Sequence, residues 1–350
     1  MNHLNFGIFI PIANNGWIIS KACQYMPSFE LNKEITLRAE EFGFDFAFSM
    51  VKWRGYGSEI EHWDYALESF TLMAGLAAIT SQIDLYASIA IPTIHPAVVA
   101  KMAVTIDDIS KGRFGINIVP GWNKLEYSQM GLLTDEAYLS YRYEYATEYV
   151  KILKMLWEKG RVTYKGKFFE LDDCLCQPKP SREIPIVCAG QSERGIGFTA
   201  EMGNYNFVLG DIEGVRAINT RLKEKAKEFE RRVSTYALFT VVTAPTDEEA
   251  QARAQMLVEH ADIAAIQNWG GALATDKEGE MARKMQAETF MGIPTIIGSY
   301  TSVASYLDQL ATQTTADGVL FTFPNFVEDI TTFGLEVMPL LQCRKEDRGL

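Results

Sequence analysis

The residues that could do chemistry in this 350-residue chain are mostly amides, hydroxyls and aromatics, not acid–base pairs. The four histidines (His3, His62, His95, His260) are scattered, with no H-x-H or H-x3–4-H pair. The five cysteines (Cys23, Cys174, Cys176, Cys188, Cys343) are irregularly spaced, and the single residue between Cys174 and Cys176 is too tight for a zinc knuckle, so no protein metal site is expected. No Gly-x-Gly-x-x-Gly follows the first apolar stretch and no Gly-Lys-Ser/Thr loop occurs, which leaves dinucleotide-fold and P-loop chemistry unsupported. What recurs is a set of apolar stretches that run out into polar and aromatic groups: Asn14-Asn15-Gly16-Trp17, then Ser49 to Gly55 with Val51, Lys52 and Arg54. Ser88, Asn117 with Pro120-Gly121-Trp122, and Gly190-Gln191-Ser192 complete the set. Hydrolysis would call for a histidine base, a carboxylate pair or a Cys–His pair. Amides, hydroxyls and ring faces suit a site that holds a cofactor and lets it supply the reactivity.

The elements that must position these groups alternate along the chain. Strand-like runs lie at 4–12, 44–50, 83–91, 113–119, 184–190, 205–210, 234–244 and 317–323, and helical spacing fills 32–44, 68–80, 96–110, 211–231 and 247–261. The near-continuous apolar strands are those of a sheet buried on both faces. Eight β/α units in series predict an α/β fold, a (β/α)8 TIM barrel, formed by a single domain over 1–350 with insertions after strands 4 and 7. The insertions cover about 120–183, whose later part (RVTYKGKFFELDD) alternates like a hairpin, and 262–297, rich in Gly, Ala and polar residues. Long insertions after barrel strands commonly carry lids and substrate contacts. In such a barrel the active site lies at the carboxyl ends of the strands, where the polar set falls.

Each candidate has a plain structural reading beside the functional one. Asn117, on a central strand, has no solvent to satisfy its amide, and a ligand is a natural partner. Ser192 opens a helix after Gly190 and either binds a phosphate there or simply caps the helix. Gly298-Ser299-Tyr300 poses the same choice, and an N-cap turn is the favoured reading. Arg142 offers a fork suited to phosphate, but it and Tyr143 sit in a tyrosine-rich helix start where packing competes. Lys52 and Arg54 read as site residues or solvated loop charges, and Trp122 as a substrate contact or a packing residue. Asn14, Asn15 and Gln191 are candidates to read the amide edge of a substrate.

The net charge of −12, from 33 basic and 45 acidic residues, repels nucleic acid and anionic membranes, so neither is an expected partner. The opening MNHLNFGIFIPIANNGW lacks a basic leader and reads as a first strand, and no apolar run reaches the ~18 residues a membrane helix needs. Few, odd-numbered cysteines point to reduced thiols and a cytoplasmic location.

Taken in order, FIPIANNGW (9–17), QYMPSFELNK (24–33), LESFTLMAGLAAIT (67–80), GRFGINIVPGW (112–122), EYSQMG (126–131), VCAGQS (187–192) and MPLLQCR (338–344) resemble the bacterial-luciferase-like flavin monooxygenases, and within them the pyrimidine monooxygenases of uracil breakdown. The resemblance spans about residues 4–344. It implies an FMN site in which Val51 and Lys52 line the flavin, Asn117 contacts its ring and Glu126 contacts the FMN. Arg142 and Tyr143 would reach the ribityl-phosphate side, and Ser192 would bind the phosphate. It further implies a two-component monooxygenase: FMNH2 comes from a separate NADH- or NADPH-dependent flavin reductase, O2 forms an adduct at flavin N5, and uracil or thymine is opened at an amide C–N bond to a ureidoacrylate. Ser88, Asn117 and Trp122 are the candidate catalytic residues, with Ser88 and Asn117 holding oxygen and polarising the carbonyl. A homo-oligomer built through barrel helices such as 67–80 is expected.

Four departures bear on the substrate. Ser88 stands where threonine is expected, Phe48 replaces a smaller aliphatic residue, Pro120 replaces a threonine, and 210–295 is shorter. The alternatives are oxygenation of another cyclic amide, a sulfonate, a sulfone or a halogenated aromatic; a deazaflavin-dependent dehydrogenase; and a flavin-binding relative without turnover. A barrel hydrolase ranks last.

Overall fold

The computed structural model describes residues 2–132, 135, 137–274 and 292–344. Strands β1 (Asn5–Phe9), β2 (Phe46–Phe48), β3 (Asp84–Ala90) and β4 (Phe114–Val119) are followed by a hairpin, β5 (Arg161–Lys165) and β6 (Glu170–Leu175). Then come β7 (Ile186–Ala189), β8 (Tyr205–Leu209), β9 (Ser234–Ala244), β10 (Thr295–Ser299) and β11 (Gly318–Thr322). Eight of these close a parallel barrel in the order β1-β2-β3-β4-β7-β8-β9-β11, with β11 returning to β1. Both faces of each strand are covered, which is why β9 is buried along nearly all of its length.

Helices α1 (Phe29–Glu41), α2 (Ser69–Ala77), α3 (Pro96–Ser110), α4 (Lys124–Ser128) and α5 (Tyr138–Lys159) occupy the first half. The second half holds α6 (Glu193–Met202), α7 (Ile212–Lys227), α8 (Asp247–Glu259), α9 (Ile263–Ala274), α10 (Tyr300–Gln313) and α11 (Phe326–Thr332). Helix α1 begins earlier than its apolar spacing predicts, because Ser28 accepts the Leu31 N–H and starts it there. Among the described residues, no helix is long and apolar enough to cross a membrane.

The stretch 120–183 holds α4, α5 and the hairpin. Helix α5 packs between α3 and α6 and so supplies the helix of the fourth unit. Its Glu148 accepts the backbone N–H groups of Lys167, Phe168 and Phe169 at 3.0–3.2 Å, which docks the hairpin on α5. The hairpin lends no residue to the cavity described below; the insertion reaches it through Trp122 and through Arg142 and Tyr143 of α5.

In the stretch 262–297, of which 275–291 lie outside the described residues, the structure has α9 and a strand that the sequence reading lacked. Strand β10 pairs only with Thr240–Ala244 of β9, on the edge opposite β11. Its five residues sit beside a Gly- and Ala-rich stretch, which hid the β-branched run. The Gly298-Ser299-Tyr300 turn is an N-cap: Ser299 Oγ accepts from Ser302 N, and the Asp247 carboxylate already takes the Ser299 N–H at 2.6 Å. A carboxylate there repels phosphate.

The barrel is plugged at its amino end. Phe46, Tyr86, Tyr205 and Tyr236 interlock, with Tyr205 stacked on Tyr236 at 4.3 Å and Phe46 on Tyr236 at 4.5 Å between centroids. Gly7 registers with Phe46 and Gly115 with Tyr86 on the neighbouring strands. A Cβ on Gly7 would stand 2.2 Å from the Phe46 ring, and one on Gly115 2.3 Å from Tyr86. Above this layer Phe9, Phe48 and Phe207 meet at 5.3–5.9 Å and form the floor of a cavity at the carboxyl ends of the strands. Gly7→Ala is therefore expected to destabilise the fold by about 1–3 kcal/mol in urea denaturation. Adding Phe46→Leu should recover most of the loss. A Gly7→Ala protein as stable as the parent would show that the plug has slack.

Candidate active site at the carboxyl ends of the strands

A cavity of about 220 Å³ lies over the aromatic floor. Val51, Lys52, Ser88, Asn117, Trp122, Arg142, Tyr143 and Ser192, all singled out from the sequence, line it. Glu126 stands one layer behind, against Lys52. Strand ends supply Ser88 from β3 and Asn117 from β4, the loop after β2 supplies Val51 and Lys52, and α5 supplies Arg142 and Tyr143.

Asn117 is fixed by a short relay. Its Nδ2 donates to Ser88 Oγ at 2.8 Å, and Ser88 Oγ donates to the Ser49 carbonyl. A carbonyl can only accept, so the Ser88 proton is spent on it and Ser88 must accept from the amide. That order leaves Asn117 Oδ1 buried and without a protein partner. The site thus presents an acceptor for an incoming N–H at this point. Ser88 orients Asn117, and in this arrangement its proton goes to the Ser49 carbonyl.

Lys52 is buried, not a solvated loop charge. Its ammonium pairs with Glu126 Oε1 at 3.0 Å, lies 3.5 Å from the Tyr56 hydroxyl, and stands 5.1–5.7 Å from the ring centres of Tyr56, Trp63 and Trp122. Burial alone would lower the Lys52 pKa, but Tyr56 and Glu126 more than offset it and hold the group above its ordinary value. Glu126 also takes the Trp53 N–H at 3.0 Å, so α4 fixes both the charge and the loop that carries it. Trp122 forms one wall of this cage.

Another part of the lining carries groups whose chemistry suits an anion. Ser192, which lines the cavity, caps α6, its Oγ accepting from Gly195 N at 3.2 Å. The Tyr143 ring lies between the guanidinium carbons of Arg142 and Arg194, at 5.1 and 5.6 Å from its centre. Gly190 and Gly195 pack together beneath the Tyr143 hydroxyl, where a Cβ on either would come within 3.0 Å of that oxygen. This cradle, a buried arginine and a helix N-terminus fit the phosphate of a flavin mononucleotide, and the unpaired Asn117 Oδ1 fits an N–H on a flavin or substrate ring. Among the described residues, no group of three His, Cys, Asp or Glu side chains is placed to hold a metal ion.

Three amides expected to read a substrate edge are committed elsewhere. Asn14 bonds the Ile60 and Glu61 carbonyls and the Tyr65 N–H. Asn15 bonds Gln24 and the Tyr25 N–H, and Gln191 clamps both backbone groups of Leu209. The sequence reading did not name Trp63, Trp269 or Leu273, which line the cavity from the loop after β2 and from α9. A lone tryptophan in the Gly- and Ala-rich NWGGALA run was the available signal.

His62 lies behind the Lys52 cage, stacked on Trp63 at 4.7 Å, with both ring nitrogens buried and unpartnered. Burial and then the Lys52 charge push its pKa down to about 3, so the folded ring stays neutral.

A family model described as luciferase-like monooxygenase matches residues 4–317. A pyrimidine monooxygenase RutA of Acinetobacter baylyi is 46% identical, the match covering 98% of this chain and 96% of that one. An Escherichia coli RutA is 45% identical with 97% of each covered. In fold, the chain is similar to riboflavin lyase RcaE (TM-score 0.86, 20% identity, 97% and 91% covered). It is also similar in fold to the long-chain alkane monooxygenase LadA (0.82, 20%, 98% and 92%).

The His62 geometry sets a pH dependence. Unfolded histidine titrates near its ordinary 6.5, so below that pH the unfolded chain takes up a proton that the folded chain refuses until about 3. This ring therefore costs stability as pH falls through that window, by up to about 1.4 kcal/mol per pH unit. His62→Phe, which keeps the stacking, should flatten the fall between pH 6.5 and 4.5 in urea midpoints. An unchanged slope would mean that the ring is protonated in the fold.

Proposed function

From the premise that the chain belongs to the luciferase-like monooxygenase family, we propose that it is an FMNH2-dependent monooxygenase that opens the ring of uracil or thymine. An amide C–N bond would be cleaved at the C4 carbonyl to give a ureidoacrylate. The family's chemistry joins reduced flavin with O2. The relatives named pyrimidine monooxygenases, 45–46% identical over nearly their full length, support the substrate class. The observation that carries the reading is the carbonyl oxygen of Asn117, buried and unpaired at the cavity wall where a ring N–H can meet it.

When bound, reduced FMN supplies electrons and, with O2, the oxygen atom that enters the product. In this reading the α6 N-terminus, Ser192, Arg142 and Tyr143 hold its phosphate end, Val51 lines its ring, and Asn117 accepts a ring N–H. Lys52, held as an ammonium by Glu126 and Tyr56, places a fixed positive charge at the cavity wall, where it stabilises negative charge on a carbonyl oxygen as that carbon is attacked. Trp122 and Trp63 screen this charge from water, which strengthens its action. Reduced flavin reaches the site from a separate NADH- or NADPH-dependent reductase.

The test is a coupled reaction with FMN, NADH, a flavin reductase and ¹⁸O2, offering uracil and thymine. The expected result is a ring-opened product carrying one ¹⁸O by mass spectrometry. Tight FMN binding without such a product would move the search to other amides and to sulfur or halogen compounds. Asn117→Ala should lose oxygenation by about 100-fold or more while the circular dichroism stays unchanged. Full activity in that variant would remove Asn117 from the reaction.

A further inference from the structure

Three indoles close one side of the cavity: Trp17 after β1, Trp63 in the loop after β2, and Trp269 on α9. Their ring centres lie 4.8 Å (Trp17–Trp63), 5.7 Å (Trp63–Trp269) and 6.2 Å (Trp17–Trp269) apart. Two of them are tied through the backbone, since the Trp63 indole N–H donates to the Gly16 carbonyl.

The third is held just as firmly. At the start of α9, Asp262 takes the Ala265 N–H at 3.1 Å, the Ser58 hydroxyl at 2.7 Å and the Ile60 N–H at 3.1 Å. The Asp262 N–H donates to Ile19 O at 3.0 Å, and Asn268 Nδ2 donates to Tyr56 O at 2.9 Å. Helix α9 is thus pinned to the loops after β1 and β2 along the turns that lead up to Trp269, and the indole itself is buried.

The cavity lining therefore includes a basic set, Arg142 with Tyr143 and Ser192, and an aromatic end formed by the three indoles, with the Lys52 ammonium near Trp63. A phosphorylated cofactor places its charge at the first. The second reactant is left the aromatic end, where flat ring faces meet indoles. We propose that Trp269, with Trp17 and Trp63, sets the size limit of the substrate: a single planar ring enters, and a fused bicycle is refused at the Trp269 indole. The identity of that ring as a pyrimidine rests on the function proposed above. The size limit rests on the indole wall. A packed wall that cannot move rejects added volume far more strongly than it rewards a fit.

The test uses the protein loaded with oxidised FMN and measures binding by calorimetry, without turnover. The probes are uracil with its benzo-fused analogue quinazoline-2,4-dione, and 2-pyridone with 2-quinolone. The parent should bind each single ring at least about tenfold more tightly than its bicycle. Trp269→Ala should erase that ratio, and Trp269→Phe, which keeps a ring and the fold, should fall between. An unchanged ratio in both variants, with circular dichroism intact, would overturn the size limit, as would equal binding of one and two rings by the parent. If uracil fails to bind but the pyridone pair shows the step and loses it in Trp269→Ala, the pyrimidine reading falls and the size limit stands. If neither pair binds, both fall.

Discussion

A closed parallel sheet leaves no strand face in water, and everything polar inside this barrel answers to that constraint. A polar group on an inward strand position is best satisfied by a partner within the wall or by pointing into the cavity. The aromatic plug formed by Phe46, Tyr86, Tyr205 and Tyr236 fills the amino end so completely that glycines are required beside two of its rings. The plug and the aromatic floor above it separate the amino end from the cavity at the carboxyl ends. Ser88 and Asn117 lie side by side on inward positions that reach that space, and between them only one polar atom, Asn117 Oδ1, is left over. The hydrogen-bond order that leaves it over starts at a backbone carbonyl, so the fold itself decides which end of the amide faces a ligand.

Much of this was legible in the sequence, for a physical reason. Strands buried on both faces must be apolar throughout, so eight such runs in series announce a barrel and locate its active end. Asn117 stood out because an amide in such a run has to be satisfied, and Ser192 because a helix must start after Gly190. What the sequence concealed was the destination of hydrogen bonds to the backbone. Asn14, Asn15 and Gln191 are of the right type and in the right place to read a substrate, yet each bonds main-chain groups of a neighbouring loop or strand, and Asn15 also the Gln24 side chain. Main-chain partners leave no mark on residue type. Strand β10 was hidden for a related reason: it pairs along one edge of β9 only, and five residues carry too little periodicity to stand out from a small-residue stretch.

The committed amides have a use of their own. Asn14 ties the loop after β1 to the segment at 60–65, which carries Trp63, and Asn15 braces that loop against Gln24 and Tyr25. Gln191 fixes the end of β8, which brings Leu209 to the cavity. They act as the scaffold of the aromatic wall, and the chemistry is left to fewer groups than the sequence offered. That economy suits a site whose reactivity comes from a bound cofactor, because the protein then has to orient and desolvate more than it has to transfer protons.

Lys52 is the group that stability does not explain. Burying an ammonium and a carboxylate costs several kcal/mol per ion, and a well-packed apolar pair of similar volume commonly leaves a protein as stable or more so. The cage adds cation–π contacts from three rings, each of order 1 kcal/mol, which reduces the cost without cancelling it. Glu126, Tyr56, Trp63 and Trp122 thus cooperate to hold a charge that the fold could do without. The monooxygenase reading gives that charge a task, since attack on an amide carbonyl builds negative charge on an oxygen, and a preorganised cation in a water-poor wall needs no rearrangement to meet it. Burial first, and then the same ammonium, keep His62 neutral. One buried cation thereby ties the chemistry proposed for the cavity to the acid sensitivity expected of the fold around it.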